Sequence, residues 1–384
     1  MQPRAGRIEG LDVLRGIAAA AVMLHHDGQY YDVLYPGRTP LSWSSSLGPG
    51  HFGVELFFII SGFVILMTTE GKKTVREFAI SRFARLMPAF LAAMLLATFV
   101  FSLWPMLPFL GRPSVGQFLA NMTMAPGLFG QKSIDLPYWT LAYELVFYVL
   151  MAVALKLRAL RSIEAFGLLW VAVGWLYVAT MDVRLHHRTT ILLLAYYGNF
   201  FLAGMCLYRI HSGAARPITY IALACAVLAN VRGGGEQAFY APGYIYLPLA
   251  ICFTLLVWWA SGKRVARWFT WRPLVFLGQI SYPLYLLHVV LGFEIIRIGV
   301  AHGWSTPQGV LAAVTASLVV ATLFHYLIER PGQRWSYALF GARRAKREPS
   351  CPTSQPNPVH LPASPMKPTT PTWDTPQETS SPGS

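Results

Sequence analysis

Residues 10–30 read GLDVLRGIAAAAVMLHHDGQY, an apolar run long enough to cross a bilayer as a helix. It carries an arginine near its start and a histidine near its middle. Arg15 and His26 are eleven residues apart. At about 100° and about 1.5 Å per residue, that spacing returns to within roughly 20° of the starting direction, roughly 16 Å further along the axis. Asp12 sits one turn before Arg15 on the same face, and His25 is turned well off it. Charged groups on a spanning helix are costly in lipid, so this face is expected to point into a protein interior and to be functional.

The rest of the chain has the composition of a membrane protein. Of its 384 residues, 54% are hydrophobic and only 12% charged, whereas a soluble domain carries about 25% charged residues. The N-terminal run is long and lacks a small-x-small cleavage site, so it reads as a signal anchor and not as a removable signal. Cys206, Cys225, Cys252 and Cys351 have no metal-ligand spacing, and three of them fall in apolar runs, which argues against a disulfide framework.

Apolar runs of spanning length occur near 11–29, 52–70, 86–104, 138–155, 163–180, 190–208, 217–231, 244–260, 274–300 and 308–327. The expected fold is therefore all-α: a polytopic transmembrane helical bundle of about ten spans, the run at 217–231 being the weakest. With the N-terminus placed inside, the inner segments hold 22 of the 31 lysines and arginines and the outer segments six. That asymmetry fits the positive-inside rule with both termini cytoplasmic. It also accounts for the net charge of +14 without nucleic acid. Two outer loops, about 30–51 and 105–137, are long and rich in Pro, Gly and aromatics, which suits either function or packing over the bundle mouth. Residues 1–340 form the expected membrane domain. Residues 341–384 turn to Pro, Ser and Thr and are expected to be disordered. No internal repeat of the transporter kind is visible.

Several further residues could carry chemistry. Glu55 lies just inside the outer end of the second run, where it either reaches water or joins a polar centre, and Gly62 follows on its face. Ser61-Gly62 also suits close helix packing. Arg82 and Arg85 share a face at i, i+3; they either anchor the inner surface or clamp a phosphate-bearing ligand. Glu144 in YWTLAYELVFYVL lies about two turns in, a depth at which a carboxylate needs a partner. Ser281, Tyr285 and His288 fall on one stripe at i, i+4, i+7, with Pro283 placed to kink the helix. His288 lies about fourteen residues from the inner end, a depth similar to that of His26. His186, His187 and His211 fall in loops and are assigned no role. There is no Ser-His-Asp signature, no phosphate loop and no metal-ligand cluster.

Taken together, LDVLRGIAAAAVMLHH with its Arg-x10-His, GVELFFIISGF, the Arg-x-x-Arg of Arg82 and Arg85, YWTLAYELVFY and ISYPLYLLH resemble the acyltransferase-3 family of membrane O-acyltransferases, over roughly residues 8–335. Glu55 stands where Asp is common in that family. The resemblance implies an acyl-CoA donor, commonly acetyl-CoA, engaged from the cytoplasm. It implies an acceptor hydroxyl outside, on a surface polysaccharide, an oligosaccharide or a glycosylated small molecule.

On this reading the chain is a multi-pass enzyme of the cell membrane with no metal. A sugar hydroxyl is a poor nucleophile, and His26, whose class titrates near neutral pH, is the candidate general base. Glu144 would orient the histidine or the acceptor. Arg15 would hold the donor or the developing negative charge, and Arg82 and Arg85 the CoA phosphates. Asp12, Glu55, Ser281, Tyr285 and His288 would complete the polar centre. An acyl-histidine intermediate is the rival mechanism. A proton-coupled transporter of a lipid or sugar is the alternative class, because buried Arg, His and Glu serve proton coupling too. A membrane scaffold without chemistry is a third.

Overall fold

The computed structural model describes residues 8–30, 44–72, 74–104, 111–181, 186–232, 243–262 and 265–340. The Pro/Ser/Thr-rich segment 341–384, most of the first long outer loop (31–43) and the first residues of the second (105–110) lie outside the described residues. The described residues are helical, with no strand among them.

In chain order the helices are α1 (Glu9–Leu24), α2 (Gly53–Glu70), α3 (Val75–Leu103), α4 (Val115–Asn121), α5 (Trp139–Lys156), α6 (Ile163–Thr180), α7 (His187–Leu192), α8 (Gly198–His211), α9 (Pro217–Leu228), α10 (Gly243–Ser261), α11 (Arg272–Ala301), α12 (Thr306–Phe324) and α13 (Arg330–Phe340). Local chemistry fixes many of their starts. Thr74 and Ser114 accept from the amides of Glu77 and Gln117 at 3.2 and 3.1 Å, and prolines occupy the first turns of α9, α11 and α12.

Each of the ten apolar runs contains helix, but among the described residues seven helices are long and apolar enough to cross a membrane. The three that fall short do so for separate reasons. α1 continues as a π-helical turn, His25–Tyr30, but Glu9, Asp12, Arg15 and Asp27, with His25 and His26, leave it too polar along its length. The run at 190–208 is broken between α7 and α8, where Leu194 takes φ 50°; the indole nitrogen of Trp170 donates to the Leu193 carbonyl there at 2.7 Å, satisfying an acceptor that the break would otherwise orphan. The run at 217–231 gives only the 12-residue α9.

α1 packs on α2 and α11, α11 on α12, α2 on α8, and α13 returns to α3. Glycine sets the closest of these approaches. A Cβ on Gly62 would lie 2.1 Å from the Phe201 carbonyl oxygen, and one on Gly204 would lie 1.9 Å from that of Ile59. Ser61-Gly62 thus does permit close helix packing, between α2 and α8. Pro283 lies within one continuous helix, α11.

Buried charge also ties one end of the bundle together, which the sequence did not suggest. Glu164, with no exposed surface, meets Arg216 at 3.0 Å and Arg209 at 3.5 Å, and Arg209 reaches Glu70 at 2.5 Å. The termini of α2, α6, α8 and α9 are thereby pinned by mutually neutralising groups.

Candidate functional site

A cavity inside the bundle is lined by Arg15 from α1; Val54, Phe57, Phe58 and Ser61 from α2; Arg85 and Leu86 from α3; Thr140, Leu141 and Glu144 from α5; and Ser281, Tyr282 and Tyr285 from α11. Five residues singled out from the sequence therefore converge: Arg15, Arg85, Glu144, Ser281 and Tyr285. Glu144 accepts from the Tyr148 hydroxyl, one turn on, and from Ser61 Oγ at 3.3 Å. Neither Arg15 nor Arg85 makes an ion pair among the described residues. Two guanidiniums facing one carboxylate leave the cavity with an excess of positive charge, in a setting where charge is poorly screened.

Arg82 does not line this cavity. Its guanidinium lies over the rings of Phe78 and Tyr148, 5.8 and 5.9 Å from their centroids, a cation–π arrangement beside the cavity. Asp12 is likewise not among the lining residues; its backbone packs on Gly278 of α11. Glu55 is 3% exposed, so it does not reach water at the interface.

His26 and His288 form a separate polar pair. His26 Nδ1 lies 2.9 Å from His288 Nε2, and the ring centroids are 5.0 Å apart. His288 is wholly buried, and His26 as a residue is partly buried. Glu144 does not hold His26: its partners are Ser61 and Tyr148. The predicted stripe on α11 divides. Ser281 and Tyr285 face the cavity, and His288 turns to α1. Tyr285 joins the two regions. Its hydroxyl meets Thr140 Oγ1 at 2.8 Å at the cavity wall, and its ring lies 5.9 Å from that of His288. The His25 ring lies between His26 and His51, its centroid 5.3 Å from the first and 5.5 Å from the second.

Three further groups escaped the sequence reading. Asp27, next to His26, has no exposed surface and its carboxylate rests on Gly292 of α11, where a Cβ would lie 2.1 Å from Oδ1. Its position after the proposed base was the only available signal. His325 Nδ1 and Glu329 Oε2 pair at 2.5 Å in a second π-helical turn, His325–Glu329; here the i, i+4 spacing was legible. Asp135, ahead of α5, is buried and caps the following turn through Leu136 N at 2.8 Å. Among the described residues no group of three His, Cys, Asp or Glu is placed to hold a metal ion.

A helical membrane bundle that gathers two arginines and a carboxylate around an interior cavity, with a histidine pair joined to it through Tyr285, has the parts of a membrane-embedded group-transfer enzyme. Residues 8–328 match the family model described as an acyltransferase domain, and the chain belongs to that family, acyltransferase-3. It is 26% identical over 380 residues to acyltransferase MdmB of Streptomyces mycarofaciens, covering 90% of this chain and 95% of that protein. It is 26% identical over 300 residues to exopolysaccharide production protein ExoZ of Rhizobium meliloti, covering 73% and 89%. It is 23% identical over 367 residues to peptidoglycan O-acetyltransferase OatA of Listeria monocytogenes, covering 84% of this chain and 55% of that protein. No solved structure matches.

Proposed function

We propose that this acyltransferase moves an acyl group, acetyl in the simplest case, from acyl-CoA on the cytoplasmic side to a hydroxyl of a carbohydrate or glycosylated acceptor. The observation that carries the donor reading is the cavity of Arg15 and Arg85: two guanidiniums that make no ion pair among the described residues suit an anionic ligand and the charge that develops on a thioester carbonyl. Arg82, beside the cavity, would add a phosphate contact. His26 would act as general base. It takes the proton of the acceptor hydroxyl as the oxygen attacks the thioester carbon, the C–S bond breaks, and the proton passes to the departing thiolate. Ser281 and Tyr285 would line the path from the arginines to the histidine pair, and Glu144 would fix one end of it. The acceptor class is drawn from the relatives, whose names refer to an exopolysaccharide and to peptidoglycan.

Covalent transfer and transport differ in product. Inside-out membrane vesicles holding the protein and its endogenous glycans, supplied with radiolabelled acetyl-CoA, should yield label in a carbohydrate ester with the parent protein and none with His26→Ala. Vesicles presenting the opposite face should stay unlabelled. Movement of carbohydrate across the membrane with no ester formed would favour the transporter instead.

A further inference from the structure

We infer that His288 is a positioning residue that fixes the tautomer of His26, so that the neutral His26 carries its lone pair on Nε2. The inference rests on the reading of His26 as general base.

The argument follows the hydrogen bonds from the buried end. His288 Nδ1 lies 2.9 Å from the Tyr285 carbonyl oxygen and 3.1 Å from that of Leu284. Carbonyl oxygens only accept, so Nδ1 carries the hydrogen. A neutral imidazole has one N–H, so His288 Nε2 is an acceptor. That atom is 2.9 Å from His26 Nδ1, which must therefore donate. The neutral His26 then keeps its lone pair on Nε2. His288 is wholly buried and closely held by its own helix, so it defines the direction of the chain of bonds.

The free imidazole prefers its hydrogen on Nε2, the wrong nitrogen for a base that must present Nε2. The pair corrects this. When His26 Nε2 takes the acceptor's proton, the Nδ1–H···Nε2 bond becomes charge-assisted and strengthens as the reaction needs it. A carboxylate does this work in serine-protease triads; here a neutral imidazole does it, adding no second charge. The other titratable groups around the pair are His25, whose ring lies 5.3 Å from that of His26, His51 behind it, Asp27 on the same turn, and Tyr285 on α11.

The test uses the full chain in membranes. His288→Gln places an amide oxygen where Nε2 lies and should keep transfer within about tenfold of the parent. His288→Leu fills similar space with no acceptor and should lower kcat by about 10²-fold or more, with little change in either KM, at equal membrane abundance. Nitrogen-15 histidine spectra of the parent, with His26 assigned by its loss in His26→Gln, should show the Nδ1–H tautomer. In His288→Leu the Nε2–H form should appear. The Nε2–H tautomer in the parent overturns the inference whatever the variants do. So does a fully active His288→Leu, or a His288→Gln as inactive as the leucine variant. Full activity in His26→Ala would instead sink the general-base reading itself.

Discussion

Gly16 of α1 and Gly278 of α11 touch backbone to backbone: a Cβ on Gly16 would lie 2.6 Å from the Gly278 amide nitrogen, and one on Gly278 2.0 Å from the Asp12 carbonyl oxygen. Ten residues further along both helices, His26 meets His288, and beyond them Asp27 rests on Gly292. The two helices therefore run side by side in the same direction and in step. The glycine contact sets the spacing on which the histidine pair depends.

Gly278→Ala should accordingly force the helices apart. The obstructing atoms are backbone and cannot turn away, so a loss of about 1–3 kcal/mol or more is expected, together with reduced transfer through the widened histidine contact. Gly116→Ala is the control. Its Cβ would meet nothing nearer than Ser114 Oγ at 4.0 Å, and it should be neutral or slightly stabilising. Thermal unfolding of both variants in detergent decides the matter; equal stability would mean that α1 and α11 are not in this contact.

His26→Ala should lower transfer by about 10²–10⁴, the usual contribution of a general base, while His25→Ala should retain most of it, because it is His26 that meets His288. His26→Gln should be as inactive as alanine. The reverse order, with His25→Ala inactive and His26→Ala active, would transfer the chemistry to the other face of the turn.

Arg85→Ala should raise the apparent KM for acetyl-CoA by roughly 10- to 100-fold, on the basis of about 1.5–3 kcal/mol for a lost charge-assisted contact. Arg82→Ala should have a smaller effect alone, because its guanidinium is engaged over Phe78 and Tyr148, and should add to it in the double variant. Unchanged donor kinetics in the double variant would leave both arginines as anchors at the membrane surface.

Asp135 lies just ahead of the span Leu136–Lys156. Burial pushes its carboxyl up to about 7 from an ordinary 3.8. The folded chain thus keeps a proton that the unfolded chain releases between about pH 4 and pH 7. Stability from this group falls as pH rises through that window and levels off above it. Asp135→Asn keeps an acceptor for the Leu136 amide and removes the titration, so its melting temperature should gain on the parent's from pH 4 to pH 7. A constant difference across that range would contradict the assignment.

The residue pattern gave away much of this arrangement. Hydropathy located helix in every run, and the matched depths of His26 and His288 reflect the parallel, in-step course of α1 and α11. Hydropathy cannot see a break inside a wholly apolar segment, which is why ILLLAYYGNF read as one span although Leu194 turns the chain there. Nor does a 3.6-residue period anticipate a π-helical turn, so the face of α1 could be followed only as far as Leu24. Tyr148 as a partner of Glu144 was implicit in the i, i+4 spacing. Ser61 comes from a different helix, and no local rule could have supplied it.

The pairing of the first helix with the penultimate long one has a consequence for how the protein is made. The histidines that meet are 262 residues apart in the chain. At about 5–20 residues per second, α1 leaves the ribosome roughly 13–52 s before its partner exists. Throughout that interval Arg15, His26 and Asp27 have no α11 to cover them, and hydrocarbon is an expensive neighbour for such a face. The insertion machinery must shelter α1 until α11 arrives. A chain that terminates before Arg272 never acquires the cover and should be cleared by membrane proteases, even though most of its helices are complete.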